Sequence, residues 1–273
     1  VGIPEGADLQ YLKTYYLPQH VTIAVHVPAT SFASTEEIAQ NAGVDEADAL
    51  TALLEMAERA CIFHKKMDGK DYFRHMGPFP GQVAMSAVRL TNEFWRSIEP
   101  YMAGYMRPVM YDQAQPAWRW IPLTSEEVAE NKILPYDNAE KLLLEAEKVA
   151  VTSCICRAPN PNPCSHCEPP YEVCLQLNDF ADFYVNDLKI SRYIDKDEVK
   201  RIIQYNKDHH LAMTVSGSQS AEIICSCCPD CCGPFAYYKR YGMGGPNAWK
   251  VTNYYLDRDE TKCTNCGECA KWC

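Results

Sequence analysis

An α+β protein is what this sequence predicts, and three observations predict it. Two short helical patterns followed by a hairpin pattern fill residues 34–75. The middle of the chain mixes amphipathic helical periodicity with ten cysteines between Cys154 and Cys232. The last eleven residues read Cys263-Thr-Asn-Cys266-Gly-Glu-Cys269-Ala-Lys-Trp-Cys273.

The first helix is predicted to open at Ser34-Thr35-Glu36-Glu37. There the Ser34 hydroxyl can accept from the backbone three residues on while Glu37 reaches back, which is a capping box. Gly43 is placed to end it, because glycine adopts the left-handed conformation of a C-terminal cap without a steric penalty. A second helix follows from about Asp45 to Ala60, with Ala49, Leu50, Leu53, Leu54 and Ala57 on one stripe. Ile62 and Phe63 then lead into Met67-Asp68-Gly69-Lys70, a tight-turn sequence, and Tyr72 and Phe73 resume a strand. Helix, turn, helix and two-stranded wing make this unit winged-helix-like.

Its charge argues against DNA. Residues 30–75 carry nine acids and five bases, and the helix that would enter a groove holds Glu46, Asp48, Glu55 and Glu58 beside Arg59, so it would meet phosphates with the wrong sign. A protein-docking or structural role is expected instead. The whole chain agrees, with 36 acidic against 26 basic residues and a net charge of −10.

Residues 76–122 are rich in aromatic residues and Met, among them Phe94, Trp95, Tyr101, Tyr105, Met106, Tyr111, Trp118 and Trp120. Core packing, or a partner surface, explains them better than a cofactor box does. Pro108, Pro116 and Pro122 make the later part an extended connector. An amphipathic helix is predicted over Asn138–Val149, with Ala139, Leu142, Leu143 and Ala146 on one face. Residues 175–215 read as helical and mixed structure, with Asp195 capping a helix that carries Val199, Ile202 and Ile203.

Fifteen cysteines in 273 residues could staple a small secreted domain, but a chain this long can bury its own cores. They are also clustered. Only Cys61 stands alone, and adjacent pairs such as Cys227-Cys228 and Cys231-Cys232 suit thiolate ligation better than bridging to each other. No apolar run reaches the roughly 18–20 residues of a membrane span, and no signal-peptide pattern opens the chain. The expectation is a cytoplasmic protein of a reducing, anaerobic setting.

The terminal run has the C-x₂-C-x₂-C-x₃-C spacing with which a short loop wraps a [4Fe–4S] cubane. Gly267 would ease the approach of backbone to inorganic sulfide. A zinc knuckle usually needs two separated C-x₂-C pairs. In two-cluster proteins the fourth Cys of such a run ligates the other cluster, so either further cysteines lie beyond residue 273 or the missing ligands come from upstream.

The upstream candidates fall in two groups: Cys154, Cys156, Cys164, Cys167 and Cys174, then Cys225, Cys227, Cys228, Cys231 and Cys232. Ligands converge in space rather than in sequence, so a core between the groups is what a metal site needs. Ten thiols exceed one tetrahedral ion or one cubane. A second iron–sulfur cluster, zinc, and reduced structural or redox-active thiols all remain open. Arg157 could neutralise a negative centre or form a surface salt bridge, and His166 reads as an exposed loop residue rather than a ligand. Gly242-Met-Gly244-Gly245 fits no phosphate-binding loop and reads as a connector.

The winged-helix-like start, Pro78-Phe79-Pro80-Gly81, the Cys154-Ile-Cys156-Arg157 group, the Cys-Cys-rich group and the terminal run together resemble the 4Fe-4S ferredoxin-type proteins of anaerobic bacteria and archaea. The resemblance implies a [4Fe-4S] cluster on Cys263, Cys266, Cys269 and Cys273, and electron transfer beside a larger redox enzyme. It is silent on the upstream cysteines. The expected layout is a winged-helix-like and helical docking domain over 1–122, a cysteine-rich mixed α/β metal or cluster domain over 123–250, and a ferredoxin-like segment over 251–273, itself cut short. The expected function is single-electron transfer with a redox protein partner, without nucleic acid or a membrane span, and with oligomerisation open. A redox- or metal-sensing winged-helix regulator is the alternative, and a reduction catalysed at the upstream site is a third. The chain is expected to serve as a subunit more than as a stand-alone enzyme.

Overall fold

Local signals build residues 34–75 as the sequence expects. The computed structural model describes residues 5–76, 100, 101, 104, 118–122, 137–157, 171–216, 221–228, 232 and 260–267. Helix α1 (Ala7–Tyr15), a 3₁₀ turn (Pro18–His20) and α2 (Val21–Ala24) precede β1 (Ala33–Ser34), α3 (Thr35–Ala42) and α4 (Glu46–Glu58). The Ser34 hydroxyl accepts from the Glu37 N–H at 3.2 Å. At the other end Gly43 has φ +68. The Val44 N–H donates to Ala39 O at 3.1 Å and the Gly43 N–H to Gln40 O at 3.3 Å, so the orphan carbonyls of the last turn are satisfied. Asp45 caps α4 by accepting from the Ala47 N–H at 2.8 Å. The buried face of α4 is Ala49, Leu53, Met56 and Ala57.

Strands β2 (Ile62–Met67) and β3 (Lys70–His75) form the hairpin. Asp68 (φ +50) and Gly69 (φ +76) both adopt left-handed backbone, the turn whose twist matches flanking strands. β1 adds to the far side of β3, giving the order β1-β3-β2. Ile38, Leu53, Met56, Ile62, Phe63 and Phe73 are buried together in its core.

A second, six-stranded antiparallel sheet is the feature that sequence patterning does not anticipate. Its order is β4-β8-β9-β6-β5-β7, from β4 (Trp118–Ile121), β5 (Val149–Ser153), β6 (Glu172–Leu177), β7 (Arg192–Tyr193), β8 (Ala212–Ser216) and β9 (Ile223–Cys227). Helices α5 (Ala139–Glu145), α6 (Asp179–Asp182) and α7 (Lys196–Asp208) punctuate it, with a π-helical turn (Phe183–Asp187) running on from α6. The helix predicted to reach Val149 stops at Glu145. The Asn178 side chain accepts from the Glu147 and Lys148 N–H groups at 3.1 and 3.3 Å, which turns the chain into β5.

Alternation along the strands sorts the two faces of this sheet. Val149, Val151, Leu175, Leu177, Ile224, Met213 and Val215 form one apolar face, packed with Ala139 and Leu143 of α5 and Val199, Ile202 and Ile203 of α7. The opposite face carries Thr152, Cys174, Cys225 and Thr214 in one row across β5, β6, β9 and β8.

The N-terminal unit packs at the second face. Phe63 stacks on Phe180 at 4.5 Å and meets Phe183 at 4.7 Å, and Cys174, Ile223 and Tyr184 belong to the same buried cluster. Polar contacts ring the junction: His64 with Asp187 (2.7 Å), Lys189 with Glu58 (3.0 Å), Lys65 with Asp179 (3.4 Å) and Arg74 with Glu222 (3.8 Å). Of the aromatic stretch, Tyr101 stacks on Tyr11 at 4.3 Å and Trp120 lies in β4. Phe94, Trp95, Tyr105, Met106, Tyr111, Pro108 and Pro116 lie outside the described residues, as do Pro78–Gly81 and Gly242–Gly245.

Candidate thiolate centre and terminal loop

Pleating alone puts Cys174 and Cys225 side by side. They are direct partners in the β6–β9 ladder. In the same ladder the Leu177 N–H donates to Glu222 O at 3.0 Å, which marks that pair as hydrogen-bonded. Strict alternation then makes Cys174–Cys225 a non-hydrogen-bonded pair, where facing Cα atoms approach to about 4.5 Å. Cys227 is two residues from Cys225 along β9 and so on the same face of the strand.

Cys154 follows β5, tied by its N–H to Tyr171 O at 2.7 Å. The Cys232 N–H donates to Cys228 O at 3.3 Å. Protons are held firmly here. Thiol–thiol hydrogen bonding, first, and then burial push the Cys154, Cys225 and Cys232 thiols well above the ordinary cysteine range, with Arg157 partly opposing at Cys154.

Polar groups that sequence reasoning missed surround these sulfurs. Gln176, fully buried, donates from Nε2 to Cys174 Sγ at 3.3 Å. Ser191 donates to Gln176 Oε1 at 3.0 Å, which fixes the amide with its N–H₂ toward sulfur. The Thr214 hydroxyl lies 3.5 Å from Cys227 Sγ. The signal was positional: Gln176 is two residues from Cys174 and so on its face of the strand. Tyr184 comes from the π-helical turn, and burial, followed by the adjacent Cys174 and Cys225, pushes its phenol up. Arg157 is buried rather than in a surface salt bridge, and donates from Nη2 to Ser226 O.

Cys61 stands apart in role. It is buried in the N-terminal core, donates to Tyr15 O at 3.1 Å, and burial pushes its thiol up to about 12. Cys164, Cys167, Cys231, Cys269, Cys273 and His166 lie outside the described residues. Among the described residues, no group of three or more His, Cys, Asp or Glu side chains is placed to hold a metal ion.

At the terminal run, residues 260–267 form a turn and an irregular loop. Asn265 (φ +54) and Gly267 (φ +77) both take left-handed backbone, which curls the chain between and after the half-buried Cys263 and the exposed Cys266. Space around Gly267 is open, with nothing within 4 Å of where a Cβ would stand, so its demand within the chain is conformational. Thiolates on a curled, accessible loop fit the donor chemistry of an iron–sulfur cubane.

No protein-family model matches this chain, and no curated protein or solved structure is found to be similar to it. Among the described residues no helix is long and apolar enough to cross a membrane.

Proposed function

We propose that this chain is an electron-transfer iron–sulfur protein or subunit that passes single electrons to or from a partner redox enzyme. The observation that carries the reading is the C-x₂-C-x₂-C-x₃-C run at Cys263, Cys266, Cys269 and Cys273, and the left-handed turns at Asn265 and Gly267 support it. A [4Fe–4S] cluster bound there supplies one-electron redox chemistry. The chain sets how readily that electron moves through charge, hydrogen bonds to sulfur and burial. The upstream cysteines hold a second cluster or metal on the sheet face. The layout is a winged-helix-like docking unit, a cysteine-rich sheet unit and a ferredoxin-like end, in a reducing cytoplasm.

The regulator reading is weaker on charge. Glu55 and Glu58 of α4 are about half exposed, and acids there repel phosphate. Iron, sulfide and zinc content of anaerobically prepared protein, with paramagnetic resonance of the reduced sample, tests the proposal. About four irons per chain indicate one cubane and about eight two. A colourless, iron-free protein sinks it.

A further inference from the structure

Backbone register sets one cysteine directly against another. Cys174 of β6 and Cys225 of β9 are ladder partners, and the register runs unbroken from them through Leu175–Ile224 to Gln176–Ile223. At a non-hydrogen-bonded position, facing Cα atoms lie about 4.5 Å apart with both side chains on the same side of the sheet. A disulfide spans Cα separations of about 4.4–6.8 Å, so the pair meets the backbone requirement at its short end. Cys227, the next cysteine of β9 on this face, lies diagonal to Cys174 at about 7–8 Å, beyond what a bridge spans without backbone movement. Both Cys174 and Cys225 are free thiols.

We propose that Cys174 and Cys225 are a reversible disulfide site, closed by a low-molecular-weight disulfide and opened again by thiols. This goes beyond electron transfer at the terminal run and requires no metal. A bridge at the short end of the range is strained, and strained bridges are reduced more readily, which makes this one a switch rather than a staple. The surroundings of Cys174 suit exchange. Gln176, fully buried, donates from Nε2 to its sulfur at 3.3 Å, and Ser191, donating to Gln176 Oε1 at 3.0 Å, holds the amide in that orientation. Such a donor stabilises negative charge on sulfur both when it attacks and when it leaves. Cys174 is buried and Cys225 half-buried, so Cys225 is the point of entry.

The chemistry balances with that oxidant alone. The Cys225 thiolate attacks one sulfur of the small disulfide, a mixed S–S bond forms, and one small thiol leaves. Cys174 then attacks Cys225 Sγ, the mixed bond breaks, and the second small thiol leaves. The protein thiols give up two electrons and two protons, and the oxidant takes them up as two thiols. Sulfur engaged on a metal is not free to bridge, so the disulfide and an upstream metal on these residues exclude one another.

The test uses the full chain, stripped of metal by a chelator without air and then exposed to glutathione of rising oxidised-to-reduced ratio. After alkylation of the remaining thiols, peptide mass spectrometry should find Cys174 linked to Cys225, and dithiothreitol should return both to alkylatable thiols. Cys225→Ser should abolish the link, and Cys61→Ser should leave its yield unchanged. Gln176→Leu keeps both thiols and should slow closure about tenfold, as fits the loss of a hydrogen bond to charged sulfur. Both residues still alkylated in fully oxidised glutathione, or Cys174 bridged mainly to a cysteine other than Cys225, overturns the proposal. The readout is a covalent link rather than iron, so an iron-free protein would defeat the electron-transfer reading and leave this site standing.

Discussion

His64 is gripped from both sides by carboxylates. Its Nδ1 lies 2.7 Å from Asp187 and its Nε2 2.8 Å from Asp71, so the ring joins the wing to the π-helical turn. Burial alone would lower its pKa, but the hydrogen bonds and charges of Asp187 and then Asp71 outweigh it, and the net direction is up from 6.5. A raised value means that the folded protein binds the proton more tightly than the unfolded chain does. The stabilisation is therefore complete below 6.5 and fades as pH climbs through the folded value above it. Lys66 at 3.5 Å from Asp71 and Lys65 at 3.4 Å from Asp179 are the cations nearby, and they offset little because ion pairs open to solvent are weak. Thermal melts should show stability falling from about pH 6 to about pH 8.5 by more in the wild type than in His64→Ala. Leaving two carboxylates without their shared partner should cost about 3 kcal/mol near neutral pH. Equal pH slopes in the two proteins would remove His64 from this role.

At the scale of elements, caps decide where helices start. Asp195 Oδ1 accepts from the Glu198 N–H at 2.8 Å, and α7 above it buries Val199, Ile202 and Ile203. Asp195→Ala should lower stability by about 1 kcal/mol without moving the metal content, read by denaturant titration. A loss under about 0.3 kcal/mol would mean that the flanking bridge of Arg192 to Glu172 and Glu198 already fixes this end. Signals of this local kind were legible in the sequence: Ser34, Gly43, Asp68-Gly69 and Asp195 each act within a few residues. The second sheet was not. Its register depends on pairings such as Trp118 with Ser216 and Cys174 with Cys225, which no local window contains. The early stop of α5 is of the same kind, because Asn178, about thirty residues on, supplies the acceptor. For the candidate site, the cysteines were legible and their neighbours were not, since pleat and register set Cys174 beside Cys225 and place the donors Gln176 and Thr214 next to sulfur.

For the whole molecule, the N-terminal unit and the sheet share one buried cluster, and that sharing makes a prediction about cooperativity. Phe63 is 1% exposed and contacts Phe180 and Phe183, which lie on the segment that carries Tyr184 to the sulfur pair. The N-terminal unit thus turns Phe63 inward to the sheet, with Phe73, Leu53 and Met56 behind it. Truncating Phe63 to Ala removes a large ring from a packed site, and should cost about 3–5 kcal/mol. If the two units fold as one body, calorimetry of the metal-free protein should show a single transition that moves down as a whole. In the same variant Cys174, now 8% exposed, should react faster with a thiol-alkylating reagent, because transient opening of this seam uncovers the sulfur face. Hydrogen exchange supplies the discriminating observation. Amides of β2 and β6 should lose protection together in Phe63→Ala, whereas loss confined to β2 would show that the N-terminal unit opens on its own and leaves the thiols covered by the sheet unit alone.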